Sequence, residues 1–242
     1  MAVLDRLTVL AGQHPILSTV DVDYVKNKGV HRCLLPGDLL YRSGDAADGL
    51  HFVLAGALQI EYPEPKQIRG RAITIVVAPG VLGECQTIYR RPWSGTGVTI
   101  KELDVVTFDR VALFDLFARY PTAAKSLYCE LAWQFLGAID RRRAEPVLEP
   151  CDQVRNYLLD LCSVFSTPGA KNPWLPVTQK DLADVCGLRR ETIVRLLNRW
   201  RKAKQIESCR GKIKLKPSFA RRKSASSVSI ISRLHDPTLE LP

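Results

Sequence analysis

From Val177 to Pro217 the chain reads VTQKDLADVCGLRRETIVRLLNRWRKAKQIESCRGKIKLKP, and no other stretch restricts the fold so tightly. Thr178 precedes a helical run with Asp181 three residues on, an acidic capping box that also suits the helix dipole. Leu182, Val185 and Cys186 fall at i, i+3 and i+4, the spacing of one apolar helix face. Gly187 supplies the positive φ of a sharp turn between helices. In the second helix Ile193, Leu196, Leu197 and Trp200 make a stripe to bury, with Arg190, Glu191, Arg195 and Arg199 largely off it. Ile206 closes the unit. Ile213 and Leu215 then alternate with Lys212, Lys214 and Lys216 around an Arg210–Gly211 turn, which predicts a two-stranded wing with its charges outward.

A charged helix face is ordinarily just a solvated face. Here the imbalance is too local for that. Residues 189–223 carry fourteen Lys and Arg against two Glu, a net +12 in a chain that is only +10 in all. Positive charge at that density repels itself unless a polyanion meets it, which points to nucleic acid. A basic second helix behind a tight turn is shaped for the major groove of duplex DNA.

Across Ala183–Ile206 the residues ADVCGLRRETIVRLLNRWRKAKQI resemble the helix-turn-helix of bacterial transcription regulators of the CRP/FNR family. The resemblance implies an α+β fold: an N-terminal β-roll (jelly roll) of the cyclic-nucleotide-binding type, a long dimerisation helix and a C-terminal winged helix-turn-helix. It also implies roles. Arg190, Glu191 and Arg195 match the positions with which the cyclic-AMP receptor branch reads its site. Arginine bridges O6 and N7 of guanine, and glutamate accepts from cytosine N4. A TGTGA-like half-site repeated as an inverted pair is therefore expected, with Thr178, Lys180, Arg189, Arg199, Lys212 and Lys214 on phosphate.

The N-terminal half agrees. Leu34–Asp38, Tyr41–Asp45 and Leu50–Ile60 are short apolar runs parted by Gly-Asp turns, and Ala72–Val77 and Thr96–Phe108 follow as further strands. The spacing of Gly37, Gly44 and Gly56 resembles the family's glycine framework. A helix is predicted over Tyr120–Glu145, with Pro121 in its first turn and Pro146 ending it. Leu127, Leu131, Phe135 and Ile139 are its candidate dimer residues. Pro146 and Pro150 frame a hinge, and Asp152 reads as the N-cap of a helix over Gln153–Phe165. The expected domains are 1–118 (effector-sensing roll), 119–149 (dimerisation helix and hinge), 150–217 (winged helix-turn-helix) and 218–242 (C-terminal extension). In that extension Val228–Ile231 has strand character, but a weakly ordered tail is expected.

Gly83 to Gly95, GECQTIYRRPWSG, resembles the family's phosphate-binding cassette. There Gly-Glu opens a short helix, the glutamate accepts a ribose hydroxyl, and an arginine in a Pro-Arg-Ser stretch neutralises the cyclic phosphate. Gly83, Glu84, Pro92 and Ser94 match, but Trp93 stands where that arginine would be. A buried phosphate without its guanidinium loses about 3–5 kcal/mol. On the long helix Arg141 and Arg142 stand where cyclic-AMP binders use small hydroxyl residues. Cyclic AMP is therefore not expected and no cofactor is predicted. An unidentified small-molecule effector stays open, as does a degenerate pocket rescued by a shifted phosphate contact through Arg90 or Arg91.

Other classes find less support. Only Cys33 lies in the first eighty residues, too few thiols for an iron–sulfur cluster there, and no metal site is expected. His31 and His51 are isolated strand histidines, read as packed or surface residues rather than haem ligands. With four histidines (His14, His31, His51, His235) in no catalytic motif, an enzyme is not expected. A nucleotide-binding subunit acting on a protein partner is argued against by the wing and recognition helix. Seven cysteines without a CxxC, no apolar run of membrane-spanning length and no export signal suggest a cytoplasmic protein with reduced thiols. Cys186 beside the inter-helix turn and Cys209 in the wing are open to a redox role in binding, with Cys186 read rather as a small apolar filler. The expected partners are double-stranded DNA, a second copy of the chain and RNA polymerase, the last touching loops such as 166–172.

Overall fold

Two long strands organise the first half of the molecule: β-branched and aromatic residues dominate Thr96–Phe108, and Leu50–Glu61 is a largely apolar run. The computed structural model describes residues 3–63, 73–144, 149–166, 172–220 and 231–232. These form two compact units, residues 3–61, 74–140 and 231–232 in one and 62–63, 73, 141–144, 149–166 and 172–220 in the other.

The first unit opens with helices α1 (Val3–Gln13) and α2 (Val22–Lys28), separated by a 3₁₀ turn at Leu17–Thr19. Strands β1 (Val30–Leu34), β2 (Leu39–Tyr41), β3 (Leu50–Glu61), β4 (Ile73–Val77) and β5 (Gly80–Leu82) lead to a short helix, α3 (Glu84–Tyr89). Then come β6 (Thr96–Phe108), α4 (Arg110–Arg119) and α5 (Pro121–Ala144). The sheet order is β1-β6-β3-β4-β10, with β2 also on β6 and β5 on β3. Strand β10 is Ile231–Ser232, parallel to β4 with Ile231 opposite Ile75. The strand character read in the extension thus materialises at its last residue, and the rest of that extension after Ala220 lies outside the described residues.

Sequence reading passed over α1, α2 and α4, and packing explains them. Phe52 and Phe108 meet edge-to-face, centroids 5.7 Å apart, at the base of a core that includes Leu7, Ile16, Val25, Leu113 and Leu116. Asp21 caps α2 by accepting from the Asp23 amide, and Asp109 caps α4 by accepting from Ala112. Tyr24 ties them together, its hydroxyl donating to Asp115 Oδ2 at 2.9 Å.

The second unit holds α6 (Pro150–Phe165), β7 (Trp174–Leu175), α7 (Gln179–Cys186), α8 (Arg190–Lys202), β8 (Ile206–Cys209), β9 (Lys212–Leu215) and α9 (Pro217–Ala220). Its sheet runs β7-β9-β8. One expectation needs correction. Helix α6 starts at Pro150 with Glu149 as N-cap, so Asp152 sits inside the first turn and is not the cap. Proline suits that first position because its missing N–H has no intrahelical partner to lose. No helix among the described residues is long and apolar enough to cross a membrane.

Candidate DNA-reading unit and effector cassette

The capping box at Thr178 is complete: its Oγ1 accepts from the Asp181 amide at 3.1 Å, and Asp181 Oδ2 accepts from the Thr178 amide at 2.8 Å. Two of the amides at the start of α7 that have no intrahelical partner are thereby satisfied, which fixes where the helix begins. Its other end is set by Gly187 at φ 62°, a left-handed conformation that a side chain would resist. The Leu188 amide then bonds back to the Ala183 carbonyl at 3.0 Å, and α8 starts at once.

Helix α8 divides as its periodicity predicts. Ile193, Leu196, Leu197 and Trp200 are buried, while Arg190, Glu191, Arg195, Asn198 and Arg199 are exposed. Arg190, Glu191 and Arg195 line one groove of about 830 Å³ together with Gln179, Asn198 and Lys202. Sequence reading did not single out Asn198, although it stands seven residues, two helical turns, after Glu191.

The back of α8 is anchored by a residue the sequence did not flag. Arg155 of α6 is buried, donates from Nη1 to the Phe219 carbonyl at 2.7 Å, and holds its guanidinium 4.5 Å from the Phe219 ring centroid. Phe219 in turn meets Trp200 edge-to-face at 5.0 Å. Removing one partner from such a buried charged bond leaves the other unsatisfied, so this contact locks the recognition helix against its own unit.

The wing pairs Cys209 with Lys212 and Ile206 with Leu215 across the Gly211 turn. Its lysines differ. Lys212 is exposed, Lys214 is half-buried with Nζ 5.9 Å from the Trp174 ring centroid, and Lys216 is ion-paired with Glu207. Lys180, Arg189 and Thr178 are exposed around the same unit. Cys186 is half-buried and burial pushes its thiol up to about 12, whereas Cys209 is exposed.

In the first unit, Gly83 takes φ +94° at the start of α3, and a Cβ there would come within 2.7 Å of Trp93 Cη2. Trp93 is only 4% exposed. Its ring lies parallel to Tyr41 at 3.7 Å and to His51 at 5.2 Å. His51 Nδ1 is 2.7 Å from Thr107 Oγ1 and Nε2 is 3.2 Å from Asp48 Oδ1; burial pushes the imidazole below its ordinary value, with Asp48 opposing. Glu84 is half-buried as a residue, but its Oε1 is sealed and has no hydrogen-bond partner among the described residues. Burial pushes this carboxyl up, and the charge of Glu130 on α5 adds to the effect. Arg91 and Ser94 are exposed, with Gln86 Nε2 3.4 Å from the Ser94 hydroxyl. Arg90 is also exposed, and lines a separate cleft of about 420 Å³ with Thr87 and Arg110. The cassette residues thus part: Gly83, Trp93 and the Glu84 carboxyl are buried, Arg91 and Ser94 exposed.

On α5 the candidate dimer residues also part. Leu127 belongs to the roll core, Leu131 packs against it, and Phe135 is 66% exposed; the side chains of Ile139, Arg141 and Arg142 lie outside the described residues. Successive i+4 steps drift about 40° around a helix, so a row that begins in the core leaves it within two steps. The exposed large apolar side chains of α5 are Tyr128, Trp133, Phe135 and Leu136. Residues 167–171, most of the loop assigned to polymerase, lie outside the described residues.

Comparison with known proteins gives two family matches in the same order along the chain. Residues 31–120 match the cyclic nucleotide-binding domain and residues 153–217 the Crp-like helix-turn-helix domain. A CRP-like cAMP-activated global transcriptional regulator of Mycobacterium tuberculosis is 27% identical over 164 residues, 66% of this chain and 72% of that protein. The c-di-GMP responsive global regulator CLP of Xanthomonas campestris has the same fold, with TM-score 0.64 and 18% identity over 81% of this chain and 99% of that one. FixK2 of Bradyrhizobium japonicum aligns with TM-score 0.61 and 18% identity, covering 82% of this chain and 98% of its own. A roll matched by one domain and a winged helix-turn-helix matched by the other leave one assignment: this chain belongs to the CRP/FNR family of transcription regulators.

Proposed function

We propose that the chain regulates transcription by binding, as a homodimer, an inverted repeat of TGTGA-like half-sites, and that it does so without cyclic AMP in the interior of the roll. The observation that carries this reading is the single groove lined by Arg190, Glu191 and Arg195 on the face of α8 opposite its buried stripe. Guanidinium forks and a carboxylate so placed have the donors and acceptor to read guanine and cytosine edges. Thr178, Lys180, Arg189, Arg199, Lys212 and Lys214 hold phosphate around them. Tyr128, Trp133, Phe135 and Leu136, all exposed on α5, supply apolar surface on which a second α5 would pack. The domain limits at 118, 149 and 217, a cytoplasmic location and contact with RNA polymerase belong to the same proposal.

Steric and electrostatic factors together oppose cyclic AMP in the interior. Trp93, stacked on Tyr41, stands at the arginine position, and Glu84 faces the added negative charge of Glu130. A phosphate there would meet carboxylates without a guanidinium. A second reading has one observation in its favour. Arg90 and Arg110 share a cleft with Thr87, whose buried Oγ1 has no hydrogen-bond partner among the described residues, and an anionic effector with a shifted phosphate contact would sit there.

Selecting DNA from a random pool, with and without cyclic AMP and cyclic di-GMP, tests both. Recovery of a TGTGA-type inverted repeat without any nucleotide supports the first reading. Recovery only with a nucleotide, lost in Arg90→Ala, supports the second. A pool with no common sequence in any condition overturns the DNA-reading assignment.

A further inference from the structure

His31 and Cys33 alternate along β1 and so share one face of the sheet; Asp104 on β6 stands opposite Cys33 in register. None of them belongs to the cassette or to the recognition helix. Asp104 is fully buried, His31 nearly so, and Cys33 is exposed, so the group is a pocketed carboxylate with a thiol at its mouth. The two oxygens of Asp104 are divided. Oδ2 takes Arg6 Nη2 at 2.5 Å, while Oδ1 accepts from the Cys33 thiol at 3.0 Å and lies 3.2 Å from His31 Nε2. The third edge of the triangle, Cys33 Sγ to His31 Nε2, is 3.9 Å.

We propose that His31, Cys33 and Asp104 bind one divalent first-row transition ion, with zinc the best match. Tetrahedral zinc with bonds of about 2.3 Å to sulfur and about 2.0–2.1 Å to nitrogen and oxygen sets its donors about 3.3–3.6 Å apart. The observed edges of 3.0, 3.2 and 3.9 Å bracket that range, so seating an ion asks each donor to move by a few tenths of an ångström. One thiolate, one imidazole and one carboxylate favour zinc or cobalt over magnesium or calcium, which need more oxygens. The Cys33 proton leaves to solvent as Sγ becomes the thiolate ligand, and the Asp104 Oδ1 it had occupied turns onto the ion. Water takes the fourth position on the open Cys33 side.

Arg6 serves as the outer partner of this site. It holds Oδ2 of Asp104 and is itself braced by Glu102 Oε1 at 3.1 Å, which fixes the carboxylate plane and leaves Oδ1 for the metal. The sequence hides the site because its donors come from strands far apart in the chain, with no CxxC and no clustered histidines to mark it.

The test is titration of the reduced, chelator-treated full-length protein with Co²⁺, then Zn²⁺. The expected result is one equivalent of Co²⁺ giving tetrahedral d–d bands with a thiolate charge-transfer band, both erased by Zn²⁺. Cys33→Ser removes the charge-transfer band, His31→Gln weakens binding at least tenfold, and Arg6→Gln weakens it about 10–100-fold while keeping the band. Cys33 is exposed, so the serine variant folds as the parent does, with circular dichroism as the check. A colourless titration shows a hydrogen-bonded cluster that only anchors Arg6, and overturns the proposal. So does a charge-transfer band unchanged in Cys33→Ser, which places the ion on another thiol.

Discussion

Trp93 lies flat on Tyr41, ring centroids 3.7 Å apart and planes 9° from parallel. The side chain that replaces the cassette arginine is therefore a structural part of the roll. Trp93→Ala removes a large buried ring and its stacking partner, and is expected to cost about 3–5 kcal/mol in urea unfolding. Calorimetry on the parent should show no cyclic AMP bound inside the roll, and a variant as stable as the parent would remove Trp93 from the core.

Base reading and phosphate grip separate under mutation. Arg195→Ala should lose about 1–3 kcal/mol on the selected site and relax one base position. Lys212→Ala should weaken all duplexes alike and lower the salt slope by about 1. Equilibrium binding at several salt concentrations checks both. An Arg195→Ala protein that still prefers its site as strongly as the parent contradicts the role given to that residue.

Loss of the α7 capping box has a predictable size. Thr178→Ala should destabilise the second unit by about 1 kcal/mol, and Thr178→Ser by less, in denaturant unfolding.

His14 makes stability depend on pH. The imidazole is buried, its Nε2 is 3.1 Å from the Gly80 carbonyl, and its Nδ1 faces the Ile16 amide at 3.3 Å, so the neutral ring donating from Nε2 fits the site. Burial lowers its pKa from 6.5 to about 4, with the Gly80 bond opposing. The unfolded chain thus takes up the proton first. The contribution is whole above about pH 6.5 and is lost as pH falls toward 4, about 3 kcal/mol in all. Urea midpoints from pH 7.5 to 4.5 should fall in the parent and fall less in His14→Gln.

The recognition unit was legible because its signals are local. Thr178–Asp181, Gly187 and the Ile193–Trp200 stripe sit within a few turns of one another, and the structure places each where its pattern says. The roll was legible as strands and glycine turns, yet its N-terminal helices were not, since α2 is short and is held by contacts such as Tyr24 with Asp115. Asp152 misled because an acidic residue in a first turn looks like a cap, while Pro150 already opened the helix. Trp93 was visible as a departure, but its stacking on Tyr41 and His51 depends on segments far apart in sequence. The same distance hid Arg155 behind Trp200.

The proposed function requires two copies of α8 to read the two halves of one inverted site. Sedimentation of the protein with a duplex carrying paired TGTGA half-sites, their centres a whole number of helical turns apart, measures this directly. Two chains per duplex, lost on shifting one half-site by about half a turn, is the expected result. One chain per duplex, or equal binding to the shifted and scrambled duplexes, would contradict the account.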